Sequence, residues 1–272
     1  MEDRITINLR EGVADVRLMR ADKMNALDDA MFGALVVTGE KLKTQKGVRA
    51  VVLSGEGRAF CAGLDTGNFG QMASGARRAT LETITGSTTA RVRTPGGANR
   101  AQQAVMVWRE IPVPVIAAVH GVAFGGGFQL SLGADMRFVA PDAQLSVIEI
   151  KWGLVPDMAG IVLMRGLVPG DVARELTFSG RTFSGQEALG LGLATRVCDD
   201  PRREALAFAK EVAAKSPDAI RAGKRLLALA TEGDEHAILL AETTEQAKLI
   251  GSPNQVEAVR ANLEKRAPQF AG

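Results

Sequence analysis

The passage from Pro114 to Leu132 constrains this chain most. An apolar run, Val115-Ile-Ala-Ala-Val119, passes through His120-Gly121 into three consecutive glycines, Gly125 to Gly127, and then into Phe128-Gln-Leu-Ser-Leu. Glycine brings no side chain to pack and loses more backbone freedom on ordering than any other residue, so the triplet continues neither a strand nor a helix well. A strand over 113–119 must therefore end there and a short helix begin from about Gly127. A helix N-terminus offers unpaired N–H groups at the positive end of the dipole, and bare glycines let a ligand oxygen approach them closely. A second bare stretch, Gly57-Arg-Ala-Phe-Cys-Ala-Gly63-Leu-Asp65, follows the apolar segment Val48 to Leu53. Neither stretch has the Gly-x-Gly-x-x-Gly spacing of a dinucleotide fingerprint, and no Gly-Lys-Ser/Thr makes a P-loop.

The surrounding pattern is α/β. Ile5, Ile7 and Leu9 alternate, a turn falls at Glu11-Gly12, and Val16 and Leu18 resume the alternation, which predicts a hairpin. Met31, Leu35, Thr38 and Leu42 recur at helical spacing ahead of the strand at 48–53. Further strands are expected near 136–140 and 145–147, and a helix near Ile161. After about Pro201 glycine becomes sparse and amphipathic segments appear over 204–215, 220–230 and 236–250, with a capped helix running from Ser252 toward Arg266. Ser184-Gly-Gln-Glu187 opens another helix by the same device. The division expected is an α/β core over 1–200 and a helical segment over 201–272. Residues 66–100, rich in Gly, Ser, Thr and Arg, read as a lid, where Arg77, Arg78, Arg91, Arg93 and Arg100 would meet an anionic ligand.

Several function classes are disfavoured. Thirty-three Lys and Arg against 31 Asp and Glu give a net charge of only +2, with both signs interspersed, so there is no electrostatic footprint for nucleic acid or an anionic membrane. Two cysteines, Cys61 and Cys198, form neither a metal-ligand spacing nor a disulfide framework, and the first residues lack the apolar run of a signal peptide. No apolar stretch approaches the roughly 20 residues of a membrane span. The expectation is a soluble cytoplasmic protein with no nucleic-acid or membrane partner.

Taken together and in this order, the two glycine stretches resemble those of the enoyl-CoA hydratase/isomerase (crotonase) superfamily. The likeness extends to Arg20–Asp28, Pro114–Gly121, Glu149-Ile-Lys-Trp-Gly-Leu-Val-Pro156, Phe178–Ala188, Ser216-Pro217 and Glu264-Lys-Arg-Ala-Pro268. The resemblance implies a spiral of strand, strand, helix (ββα) units closed by a helical C-terminal segment that assembles homotrimers or dimers of trimers. It implies an acyl-CoA substrate and no metal or redox cofactor, coenzyme A being part of the substrate. It also implies an oxyanion hole made of two backbone N–H groups, assigned by position to Ala62 and Gly126. Ala62, Gly63, Leu64 and Asp65 would line the CoA site, with Lys23, Ala26 and, from a neighbouring subunit, Lys265 touching the CoA moiety.

Proton transfer falls to side chains near these loops. Hydratases of the family carry two glutamates; the second is present as Glu149, but Gln129 stands at the first position, and an amide can only position a water or substrate. Asp157 lies eight residues past Glu149, a separation that in dienoyl-CoA isomerases of the superfamily flanks the acyl chain with two acids. In chlorobenzoyl-CoA dehalogenases the equivalent aspartate is a nucleophile; a plainer role for Asp157 is to cap the helix that follows. The readings left open are double-bond isomerisation by Glu149 and Asp157, hydration by Glu149 with Gln129 holding the water, hydrolase- or dehalogenase-type attack by Asp157, and CoA-thioester binding without catalysis. His120 and Asp135 are expected to be structural, Asp135 as a buried hydrogen-bonding residue, and Cys61 lacks a histidine partner that would make it a nucleophile.

Overall fold

The computed structural model describes residues 4–65, 67, 93–231 and 233–272. The expected hairpin forms from β1 (Ile5–Arg10) and β2 (Val13–Leu18), paired antiparallel. Asp28 then caps α1 (Asp29–Thr44) by accepting from the Met31 N–H at 2.7 Å. Next come β3 (Ala50–Gly55), α2 (Arg100–Glu110), β4 (Val115–Val119), β5 (Val122–Phe124), α3 (Gly126–Leu132), β6 (Met136–Val139) and β7 (Gln144–Ser146). A 3-10 turn over Ile148–Trp152 leads to α4 (Gly160–Met164), α5 (Gly170–Ser179), β8 (Phe183–Ser184), α6 (Gly185–Leu191) and β9 (Arg196–Val197).

Two sheets result. The larger has the order β1-β2-β3-β4-β6-β9, parallel beyond the first pair; the smaller has the order β5-β7-β8. Every residue of β3 and β4 is buried, as expected of parallel strands covered on both faces. One face packs under α1 and α2, with Leu35, Leu53, Val107 and Trp108 fully buried. The other is covered by α7 (Pro201–Ala213), whose Ala205, Ala209 and Ala213 repeat at one-turn spacing and let the helix lie close on Ala50, Val52, Ile116 and Phe138.

The C-terminal part is helical, with α8 (Pro217–Ala230), α9 (Glu235–Leu249) and α10 (Pro253–Leu263). Lys224 fastens α8 to the core through the Val113 carbonyl (2.9 Å) and Asp135 (2.7 Å), and Arg49 holds the Phe270 carbonyl at 2.9 Å. Leu227, Leu239, Leu240 and Leu263 remain exposed on these helices. No helix among the described residues is long and apolar enough to cross a membrane.

The 66–100 expectation needs revision at its end. Arg77, Arg78 and Arg91 lie outside the described residues. Arg93 donates to the Gly97 carbonyl (2.7 Å), and Arg100 opens α2 and reaches the Asp29 carbonyl (3.1 Å), so both have partners within the protein. Sequence reading also passed over α2 itself, although Asn99 and Gln102 form a reciprocal capping box at its start.

Candidate active site

The two glycine stretches lie side by side. Phe60 N–H donates to the His120 carbonyl (2.9 Å), Cys61 N–H to Val122 (3.0 Å) and Phe124 N–H to Cys61 (3.2 Å), so that Cys61 and Ala123 form a parallel bridge. Three residues further along each segment stand Leu64 and Gly126. The approach there is close: a Cβ on Gly63, whose φ is +88°, would lie 2.5 Å from the Phe124 carbonyl oxygen and 3.6 Å from the Gly126 nitrogen.

This arrangement decides which N–H groups are free. Ala62 N–H donates to the Met24 carbonyl at 2.9 Å, so the assignment of Ala62 as an oxyanion donor is corrected: its proton already has an acceptor. Leu64 N–H has no acceptor among the described residues, because the bridge between Leu27 and Leu64 uses Leu27 N–H to Gly63 and Asp65 N–H to Leu27. Gly126 begins α3, so its N–H has no intrahelical acceptor, and it has no other among the described residues.

The loop carrying Arg20–Ala26 braces the first stretch. Asn25, fully buried with φ 55°, accepts from Arg20 N–H (2.9 Å) and donates to the carbonyls of Glu56 (3.0 Å) and Ala59 (2.8 Å). Arg20 donates to Asp65 (2.6 Å) and to the Ala26 carbonyl (3.0 Å). The Gly67 N–H and Arg20 hold the Asp65 carboxyl below the usual range, with Lys23 adding its charge. Lys23, Ala26 and Ala62–Asp65 are therefore gathered at one edge of the site. Lys265 stands apart after α10, exposed, with no bond to them among the described residues. The bracing role of Asn25 was not read from the sequence; its signal was an asparagine, tolerant of left-handed backbone, inside an otherwise apolar stretch.

Glu149 sits in the 3-10 turn that follows β7. Since β7 runs parallel to β5, the turn returns beside the start of α3: a Cβ on Gly125 would lie 3.1 Å from Glu149 Oε1. Burial pushes the Glu149 carboxyl up, the Asp157 charge adds to this, and a hydrogen bond from Gln129 opposes it. Gln129 Nε2 donates to Glu149 Oε1 at 2.6 Å, while Glu149 Oε2 is buried with no partner. Gln129 Oε1 accepts from the N–H groups of Met158 and Gly160, both at 2.9 Å, which leaves that oxygen poorly placed to hold a water.

Asp157 does not cap α4; the N-cap residue is Ala159, in left-handed backbone with φ 70°. Its side chain is open to solvent, yet enough protein surrounds the carboxyl for desolvation to push it up. Met158 next to it packs toward Gly126 beside Leu27. The remaining candidates are structural. His120 Nε2 lies 2.9 Å from the Gly57 carbonyl, and Asp135 accepts from Val115 N–H and Lys224, though it is partly exposed rather than buried as expected. Burial raises the Cys61 thiol to about 12.

The sequence and the architecture have counterparts among known proteins. The family model for enoyl-CoA hydratase/isomerase matches residues 8–272. The mitochondrial Delta(3,5)-Delta(2,4)-dienoyl-CoA isomerase of Mus musculus is 31% identical over 93% of this chain and 77% of its own length. The mitochondrial methylglutaconyl-CoA hydratase of the same species is 29% identical over 96% of this chain and 80% of its own. An enoyl-CoA hydratase structure from Mycobacterium smegmatis superposes with a TM-score of 0.83 at 31% identity, covering 98% of this chain and 99% of that one. Fold, paired glycine loops and sequence agree: the chain belongs to the enoyl-CoA hydratase/isomerase family.

Proposed function

We propose that this enzyme moves a proton along an unsaturated acyl-CoA, shifting a double bond, with Glu149 and Asp157 as the two acid/base groups. The thioester oxygen is held by the N–H groups of Leu64 and Gly126. Removing a proton from the carbon α to the carbonyl, or from the carbon one double bond further along, sends an electron pair onto that oxygen, and two preorganised donors stabilise the enolate as it forms. The second acid returns a proton at another carbon, so the bond migrates; the protein holds the same number of protons as before, now on the acid that took one up, and exchange with solvent restores the starting state. The scheme uses no cofactor; coenzyme A arrives with the substrate.

One observation carries this reading. Glu149 presents a buried oxygen without a partner, its carboxyl lies against Gly125 at the start of α3, Asp157 stands close enough to act on its charge, and the third polar residue is an amide that cannot exchange a proton. Hydration remains the second reading because hydratases are among the relatives. The exposed leucines of α8, α9 and α10 support association with further copies of the chain, as in a trimer.

Incubating the protein with 2-enoyl-CoA and 3,5-dienoyl-CoA in D2O separates the readings. Isomerisation predicts bond migration with deuterium uptake, abolished in both Glu149→Gln and Asp157→Asn. Hydration that is unchanged in Asp157→Asn, with no migration, overturns the two-acid scheme.

A further inference from the structure

We infer that Gln129 is the positioning residue of this site: one carboxamide holds Glu149 by a single oxygen and fixes the backbone that carries Asp157, so that both acids are set by the same group. This rests on the two-acid reading above.

Gln129 is 1% exposed, and its bonds run in two directions. Nε2 donates to Glu149 Oε1, which leaves Oε2 as the oxygen available to a substrate proton. Oε1 accepts from Met158 N–H and Gly160 N–H, closing the turn that contains Ala159 in a backbone region costly for a residue with a side chain. Asp157 immediately precedes that turn. The fit is tight, since a Cβ on Gly160 would lie 2.7 Å from Gln129 Oε1. A carboxamide donates and accepts at once and keeps both roles at every working pH. A glutamate here would accept from the two N–H groups equally well, but would have to carry a proton to donate to Glu149.

The coupling has a consequence for titration. Asp157 is the charged side chain that acts on Glu149, and its charge raises the Glu149 carboxyl further. The Gln129 donor favours ionised Glu149, so losing it moves Glu149 protonation, and the acid limb of the rate profile, to higher pH.

The test uses two variants of the full chain, Gln129→Glu and Gly160→Ala, the latter displacing Gln129 without replacing it. Carboxyl 13C titration of Glu149 in the ligand-free protein, assigned with Glu149→Gln, is read alongside kcat, KM and the pH profile for bond migration. Expected in both variants is a Glu149 midpoint moved to higher pH and kcat lowered by about 100-fold, with KM changed far less. Unmoved Glu149 titration and an unmoved acid limb in either folded variant overturn the inference, as does a loss confined to KM. Should the wild type turn over no acyl-CoA, the proposed reaction fails, while the titration still decides whether Gln129 governs Glu149.

Discussion

Cys61 and Ala123 pair as a parallel bridge between segments 62 residues apart, and three residues beyond each of them stand Leu64 and Gly126, whose N–H groups have no acceptor among the described residues. That register, rather than any side chain, brings Leu64 and Gly126 to one place, and it depends on small residues where the backbones touch.

The glycines of this contact should therefore respond unequally to a methyl group. In Gly63→Ala the new carbon meets the Phe124 carbonyl at 2.5 Å on a residue with φ +88°. The protein should lose about 1–3 kcal/mol of stability and about 100- to 1000-fold in turnover. In Gly126→Ala the nearest atoms are the Met158 sulfur and a Leu27 methyl, buried side-chain atoms that can shift more readily than a main-chain carbonyl. That variant should fold with a urea midpoint lowered less than in Gly63→Ala and show a raised KM chiefly for bulky acyl groups, as denaturation and steady-state kinetics across chain lengths would show.

Glu149→Gln should unfold at a higher urea concentration than the wild type at pH 7. Burial raises the folded-state pKa of Glu149, so its ionised form opposes folding once pH exceeds the ordinary carboxylate range. The advantage of the amide should grow as pH rises through that window and vanish below it, where the carboxyl is protonated in both states. Urea midpoints measured from pH 4 to 8 give the sign directly.

Asn25→Ala removes an acceptor from Arg20 N–H and a donor from two carbonyls, in a side chain with no access to water. A cost on the order of 2 kcal/mol is expected, together with lower activity, because Asn25 braces the loop whose Met24 carbonyl binds Ala62 N–H. Chemical denaturation and turnover should fall together.

Of the two thiols, only Cys198 should react in the native protein. Cys61 is fully buried, donates to the Asn25 carbonyl (3.1 Å) and has its thiol raised to about 12. Titration with a chromogenic disulfide should report one thiol under native conditions and two in denaturant.

Much of the fold was legible in local pattern. The alternation of Ile5, Ile7 and Leu9 and the helical spacing of Met31, Leu35 and Leu42 correspond to β1 and α1. The capping signals at Ser184 and Ser252 likewise start real helices. Helix α2 escaped because its capping box follows a glycine- and arginine-rich stretch whose composition dominated the reading. In the site, Glu149 and Gln129 were visible as residue types at known spacings. What was not visible was direction: whether Ala62 N–H points to Met24 or outward depends on a contact between residues 38 apart, and the same holds for the oxygen of Gln129 that turns to Met158 and Gly160. Sequence spacing supplies the groups, but only packing decides which of their hydrogen bonds are already taken.

The most direct test is a crystal structure of the protein with a saturated, unreactive acyl-CoA thioester. The thioester oxygen should lie about 3 Å from both Leu64 N and Gly126 N, with Ala62 N–H still bonded to Met24. An oxygen held anywhere else, or taken by an Ala62 N–H released from Met24, would contradict the account.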